Sequence, residues 1–412
     1  MDGNNQQFSQ QINPRAQFTQ QPQGQFTQQP QGQFTQQPQG QFTQQPQGQP
    51  QYYQQPGQAF DPFAMPNYAQ GYPYVQQPAP FDKKGAKKHF SRVGLSYFIF
   101  GVAAVLVQVI VSVAVDIINP DLWDNYTFSI LASILPMYLV GAPICFMLMK
   151  GLPSEKPEIG KWGFGKFIAA LLIALGVMYI GNYIGTAIGL VIESFSPEAT
   201  ASTNAVQEMV LTGDMLVNIV FMVFIGPVVE ELLFRKLLCD RLRIYGEGIT
   251  VAVAGFMFGL FHGNLTQFVY AFLLGCILTY VYLKSGRVTI TIAYHIIINF
   301  IGSVVPILAL RSADIDGLQE IMATGDNDLL VEFITDNVEA FAVYILYAVS
   351  IIAVMIVGLI LLVVFLASGK VKFRPGRYTI PSGKKFGVAI INTGMILFIL
   401  MEIGEILINM FA

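Results

Sequence analysis

The chain carries the sequence FIGPVVEELLFRK at residues 224–236. Within this apolar run, the adjacent acids Glu230 and Glu231 are followed four residues later by the base Arg235. A charged side chain at the centre of a bilayer costs roughly 2.5 to 3.5 kcal/mol, so intramembrane ionisable groups mark functional sites by default. The segment therefore indicates a membrane helix that carries chemistry.

The composition predicts the fold class. The chain is 53% hydrophobic and only 12% charged, and its mean hydropathy is +0.51. Soluble domains are roughly one quarter charged. We expect an all-α polytopic membrane protein of about nine transmembrane helices, because nine apolar segments are long enough, or nearly so, to cross about 30 Å of hydrocarbon. These segments lie near 93–115, 127–149, 164–192, 214–234, 248–264, 266–283, 288–308, 339–367 and 386–411.

The N-terminal region differs from the rest of the chain. A unit close to QFTQQPQG repeats every eight residues from Phe18 to Gln49, and Gln, Pro and Gly are abundant around it. Such a composition offers little apolar surface to offset the entropy lost on ordering. We therefore predict a disordered tail over residues 1–82, either a flexible extension or a segment that gathers partners. The remainder, 83–412, is predicted to be a transmembrane helical domain.

The distribution of basic residues predicts the orientation in the cell membrane. With the N-terminus in the cytoplasm, the nine segments leave 21 of the 23 Lys and Arg residues in the tail's end and the inner loops, whereas the outer loops are acidic. Cytoplasmic loops are enriched in Lys and Arg. An odd number of spans then puts the C-terminus outside. The three cysteines show no CxxC spacing, so neither a disulfide framework nor a thiolate metal site is indicated.

Helical spacing separates the roles of the two glutamates. Residues four apart share a helix face, whereas neighbours diverge by about 100°. Glu231 and Arg235 are therefore expected to form an ion pair, which leaves Glu230 to face a cavity. A carboxylate in that position would serve as a general base toward a water molecule.

Two later segments supply further polar groups. They are FGLFHGN at 258–264, which contains His262, and HIIIN at 295–299. His295 and Asn299 share a helix face, so both are predicted to donate toward one oxyanion. A single intramembrane His or Asn often only bonds a neighbouring helix. Six polar residues on or beside three of the nine segments favour a site.

In this order, EExxxR, FxxxH and HxxxN resemble the CPBP family. That family comprises membrane proteases related to the CAAX prenyl endopeptidase, together with bacteriocin-processing and immunity proteins. The resemblance covers about residues 216–305. It implies that Glu230 and His262 activate a water, that His295 and Asn299 stabilise the tetrahedral oxyanion, and that Glu231 and Arg235 support the site.

The resemblance leaves the need for a metal open. Glu230, His262 and His295 would make a three-ligand zinc site with an open water position. The HExxH motif, whose histidines form a preformed pair of ligands, is not present in the sequence. A metal-free glutamate peptidase is the alternative and is slightly favoured.

The depth of the groups poses a difficulty. At about 1.5 Å per residue, Glu230 lies about 8 Å above Arg235, whereas His262 lies about 20 Å above Gly248. The two groups would miss each other by about 10 Å unless the fifth helix starts later, tilts or breaks. If the residues lie inward of the midplane, the cavity opens to the cytoplasm.

Two other function classes remain possible from the sequence. One is a noncatalytic immunity or scaffolding protein, and the other is a proton-coupled transporter, since Glu and His relays also occur in pumps. As an endopeptidase, the chain would take a peptide or a membrane-anchored protein as substrate, with the lipid bilayer as its surroundings. Nothing in the sequence indicates a nucleic-acid partner or identifies the substrate.

Overall fold

The computed structural model describes residues 81–200, 214–312 and 315–411, and these residues form helices and no strand. The helices are, in chain order, α1 Lys83–Ile118, α2 Tyr126–Met149, α3 Phe164–Phe195, α4 Met215–Tyr245, α5 Glu247–Leu260, α6 Leu265–Ser285, α7 Val288–Ala309, α8 Ile315–Thr324, α9 Asn327–Asp336, α10 Val338–Ala367 and α11 Thr393–Phe411. Within the described ranges, eight are long and apolar enough to cross a membrane. The predicted all-α polytopic class is confirmed. The predicted tail lies, except for its last two residues, outside the described residues.

Several predicted spans have different limits in the structure, and two of these differences bear on the site. The fourth was expected to end at 234, but α4 continues to Tyr245. The fifth was expected over 248–264, but α5 ends at Leu260 after 14 residues. A helix of that length covers about 21 Å, which is less than the hydrocarbon thickness of about 30 Å. Of the nine predicted segments, eight are thus membrane-length helices in the described ranges, and the fifth is a shorter apolar helix.

The short helix still reverses the chain direction. An ion pair between Lys284 and Glu247 joins the end of α6 to the start of α5. At the other end of this hairpin, Gly259 lies so close to Phe268 and Phe272 that a side chain there would crowd them. The helices α5 and α6 are thus antiparallel neighbours. Each later helix therefore runs in the direction expected from the nine predicted segments.

Most basic residues collect at one end of the helices, which we call the basic end. There α1 begins, α2 and α4 end, and α5 begins. The Arg241 Nε donates to the Met149 carbonyl over 2.8 Å, and the Gly160 amide donates to the Ser285 carbonyl over 3.0 Å. Arg374 bonds Glu158 over 2.6 Å, which lowers the pKa of that carboxyl. The loops that carry the basic residues therefore contact one another.

The opposite end, which we call the far end, holds the acidic connections. The Asn409 side chain donates to the Gly263 carbonyl over 2.8 Å, and the Thr200 amide donates to the Met410 carbonyl over 2.8 Å. Since α11 begins beside Ser91 of α1, where the Gly394 amide donates to the serine hydroxyl, its end lies far from the basic end. The start of α1 therefore lies at the basic end, and the end of α11 lies at the far end.

Two apolar cores flank the polar residues. One core joins α1, α4, α5 and α11 and includes Phe234 and Phe258, both of which are fully buried. The other joins α3, α6 and α7 and includes Tyr294 and Ile298. The residues singled out from the sequence lie between these two cores.

Candidate functional site

The predicted ion pair of α4 is present and fully buried. Arg235 Nε lies 3.1 Å from Glu231 Oε2, and both side chains are 0% exposed. The guanidinium carbon also lies 4.4 Å from the centre of the Phe258 ring, a cation–π contact with α5. Buried charges are tolerated when they are paired, so the pair explains how Arg235 remains inside the bundle.

His295 of α7 is held by the same glutamate. Its Nδ1 lies 3.0 Å from Glu231 Oε1. A carboxylate only accepts, so Nδ1 carries the proton, and Nε2 of the neutral ring is an acceptor. That Nε2 lies 3.8 Å from Glu230 Oε2. The ring can therefore donate at Nε2 only in its imidazolium form, in which case the charges of Arg235, Glu231, His295 and an ionised Glu230 sum to zero.

Glu230 has a different environment from its neighbour. Its side chain is 21% exposed and lines a cavity, whereas Glu231 is 0% exposed. The geometric separation of the two carboxylates, one paired and one facing a cavity, is as helical spacing predicts.

His262 follows α5 in a turn and faces the same cavity. Its Nδ1 lies 2.7 Å from the Phe258 carbonyl oxygen, which only accepts, so the proton is again on Nδ1. The next residue, Gly263, has φ of 59°, a left-handed conformation that glycine adopts without strain. The turn thus leaves Nε2 of His262 as an acceptor.

The predicted depth mismatch does not occur. Arg235 was assigned to the inner loop, but α4 continues ten residues beyond it, to Tyr245. Glu230 and His262 each lie sixteen residues from Gly246, where α4 meets α5. Two antiparallel helices joined at Gly246 place them at similar heights, about 20 Å from the basic end.

Asn299 lies one turn beyond His295 and also lines the cavity. Its side-chain nitrogen donates to the Met222 carbonyl of α4 over 2.9 Å. An amide nitrogen carries two hydrogens. One of them is therefore used to join α7 to α4, and one is left for another acceptor.

The cavity has a volume of about 730 Å³ and brings together Glu230, His262, His295 and Asn299. Ligand pockets usually measure about 300 to 1,000 Å³. Among the lining residues that the structure describes, Glu230 is the one carboxylate and no Lys or Arg is present. The other polar lining residues are Tyr138, Tyr179, Asn182, Tyr183, Thr186, Gln267, Tyr270, Ser303 and Tyr347.

The cavity extends from these groups toward the far end. On α7 it continues from His295 to Pro306, close to the far end of that helix. On α3, which begins at the basic end, it reaches as far as Thr186. A site inward of the midplane was predicted to open to the cytoplasm, but the lining residues lead away from the basic end.

The arrangement does not fit the three-ligand zinc site. No group of three or more His, Cys, Asp or Glu side chains in the described part of the chain is placed to hold a metal ion.

Tyr138 of α2 was not anticipated from the sequence. It enters the cavity from a π-helical turn, Met137–Gly141, that follows Pro136. A proline and a polar-tipped aromatic residue inside an apolar segment are the only signals the sequence offers for it. Similar π-helical turns occur in α4 and α7 around the site.

Comparison with protein families supports the resemblance seen in the sequence. Residues 212–301 match the model described as type II CAAX prenyl endopeptidase Rce1-like. All six predicted site residues fall within this stretch. The match confirms the resemblance to the CPBP family and supports an intramembrane endopeptidase of the CAAX type in general. No curated protein and no solved structure matches the chain.

Proposed function

We propose, taking residues 212–301 as a CAAX-endopeptidase-like core, that the chain hydrolyses a peptide bond with water inside the membrane. The observation that carries the proposal is the contrast between the two neighbouring glutamates. Glu231 is buried against Arg235 and His295, whereas the Glu230 side chain is 21% exposed and lines the cavity. A free carboxylate beside two histidines is suited to general base catalysis.

Each polar side chain at the cavity has a separate role in the proposed reaction. A water molecule donates one hydrogen bond to Nε2 of His262, and Glu230 accepts its other proton as the oxygen attacks the scissile carbonyl carbon. The carbonyl oxygen becomes an oxyanion, to which the His295 imidazolium and the second amide hydrogen of Asn299 donate. When the C–N bond breaks, the proton on Glu230 passes to the leaving amine.

Glu231 and Arg235 act through His295 in this proposal. The carboxylate of Glu231 fixes the orientation of the ring and the position of its Nδ1 proton through their 3.0 Å bond. Arg235 holds Glu231 in place by its 3.1 Å contact. Both are positioning residues rather than catalytic ones.

The substrate is proposed to be a membrane-anchored protein or a peptide in extended form. The cavity walls offer apolar and neutral polar side chains, which suit a segment without charges. Because cytoplasmic loops are rich in Lys and Arg, the basic end is assigned to the cytoplasm. The cavity then receives its substrate from the opposite side of the membrane or from within the bilayer.

The test compares purified wild type with Glu230→Gln. The probes are a library of internally quenched peptides and a peptide that ends in a prenylated CaaX sequence. Glu332→Gln serves as the matched control, because Glu332 is exposed on α9, away from the cavity. Every assay is run with and without a chelator.

We expect Glu230→Gln to lower kcat/KM by about 10²- to 10⁴-fold, the usual contribution of a general base, and the control to equal wild type. Cleavage that survives the chelator in wild type supports the metal-free mechanism. Equal cleavage by wild type and Glu230→Gln would reject the catalytic assignment.

A further inference from the structure

Tyr138 occupies an unusual place in α2. It lies in the π-helical turn Met137–Gly141, directly after Pro136. Proline lacks the amide hydrogen that a regular helix needs, and π-helical turns inside α-helices occur frequently at functional sites. The irregular turn brings the tyrosine to the cavity wall opposite α4.

The hydroxyl group approaches Glu230 through a space left open by Gly226. A Cβ atom at Gly226 would lie 3.1 Å from Tyr138 Oη and 3.8 Å from Glu230 Oε1. The two oxygens are therefore no more than about 7 Å apart. Both oxygens are therefore close enough to contact the same bound water molecule and peptide carbonyl group, whose reacting atoms approach to about 3 Å.

The two donors already assigned to the oxyanion, His295 and Asn299, are limited. His295 uses Nδ1 for Glu231 and donates at Nε2 only as the imidazolium. Asn299 uses one of its two amide hydrogens for the Met222 carbonyl. A neutral tyrosine hydroxyl is a donor whatever the protonation state of the histidine. Tyr138 of α2 therefore offers the site a hydrogen-bond donor that does not depend on the protonation of His295.

We propose that Tyr138 is a further catalytic residue, whose hydroxyl donates a hydrogen bond to the scissile carbonyl oxygen as it becomes an oxyanion. This inference rests on the proposed peptidase function. It adds a third donor, from a helix outside the 212–301 stretch, to those of His295 and Asn299. The bond strengthens as negative charge develops, so it acts on kcat more than on KM.

The first test is Tyr138→Phe, which removes only the hydroxyl. Loss of one oxyanion donor costs about 10²- to 10³-fold in kcat. We expect a loss of that size with KM within about twofold of wild type. Tyr344→Phe on α10 is the matched control, because Tyr344 is partly buried but does not line the cavity. The thermal midpoint of each variant in detergent reports its folding.

The second test introduces a methyl group beside the hydroxyl. Gly226→Ala places a Cβ 3.1 Å from Tyr138 Oη and also 3.1 Å from the Phe221 carbonyl oxygen. If the hydroxyl matters, the alanine lowers kcat in the presence of Tyr138 and lowers it less when combined with Tyr138→Phe. A merely structural effect of the alanine would lower kcat by the same factor with Tyr138 and with Tyr138→Phe.

The outcomes separate this inference from the proposed function. Wild-type kcat in Tyr138→Phe, together with an inactive Glu230→Gln, would overturn the role of Tyr138 and leave the peptidase function standing. No cleavage by wild type would overturn both. A lower Tm in Tyr138→Phe with unchanged kcat would likewise reject the catalytic role.

Discussion

Glu231 connects two groups that the site needs, the Arg235 guanidinium and the His295 ring. Its two oxygens lie 3.1 Å and 3.0 Å from them, and the glutamate and arginine side chains are 0% exposed. Removing one partner of a buried pair leaves the other charge uncompensated. The stability of the site and its proton arrangement therefore depend on the same carboxylate.

We predict that Glu231→Gln lowers the free energy of unfolding by about 3 to 5 kcal/mol, because Arg235 is left as an unpaired buried charge. The double variant Glu231→Gln/Arg235→Met should recover most of the stability and none of the lost activity, since His295 still lacks its carboxylate. Thermal denaturation in detergent measures the first effect and peptide cleavage the second. An unchanged midpoint in Glu231→Gln would contradict the buried pair.

The helices show which parts of the site the sequence reveals. The spacing of Glu231 and Arg235 predicts their ion pair, because i,i+4 contacts are local to one helix. The depth of Glu230 was underestimated, because the basic Arg235 was taken as the end of the span, whereas α4 continues to Tyr245. Arg235 stays inside because Glu231 and the Phe258 ring contact it there. Tyr138 depends on an irregular turn in α2, which local periodicity does not predict.

Close approach of helices depends on glycines at particular crossings. Where α11 meets α1, a Cβ at Gly394 would collide with the Ser91 carbonyl oxygen, whereas Gly404 on the same helix has nothing within 4 Å. We predict that Gly394→Ala destabilises the protein by about 1 to 3 kcal/mol through overpacking. Gly404→Ala is the matched control and should leave the thermal midpoint unchanged. Equal midpoints for both variants would show that α1 and α11 do not pack as described.

At the scale of the whole molecule, the basic residues lie at one end of the helices and the cavity extends toward the other. The loops that carry the basic residues contact one another at one end, while the cavity leads from Glu230 toward the other. The division at residue 82 between a tail and a membrane domain stays a prediction, because residues 1–80 lie outside the described ranges. The side of the membrane on which each end lies is the consequence that can be tested.

We predict that the far end is extracytoplasmic. In intact cells, a membrane-impermeant thiol reagent should label Thr324→Cys, at the far end, and should not label Ser382→Cys, at the basic end, because both positions are exposed and lie on opposite sides. The native cysteines are replaced first; Cys145 and Cys239 are buried, and Cys276 is partly buried. Permeabilised cells provide the control in which both positions react. Labelling of Ser382→Cys alone in intact cells would show that the basic end, and not the far end, is extracytoplasmic.

The central claim is that Glu230 activates the water that cleaves the peptide. The most direct measurement is the ratio of kcat/KM for wild type to that for Glu230→Gln, on the same peptide and with equal thermal midpoints. We predict a ratio of about 10² to 10⁴. A ratio close to one would contradict the claim.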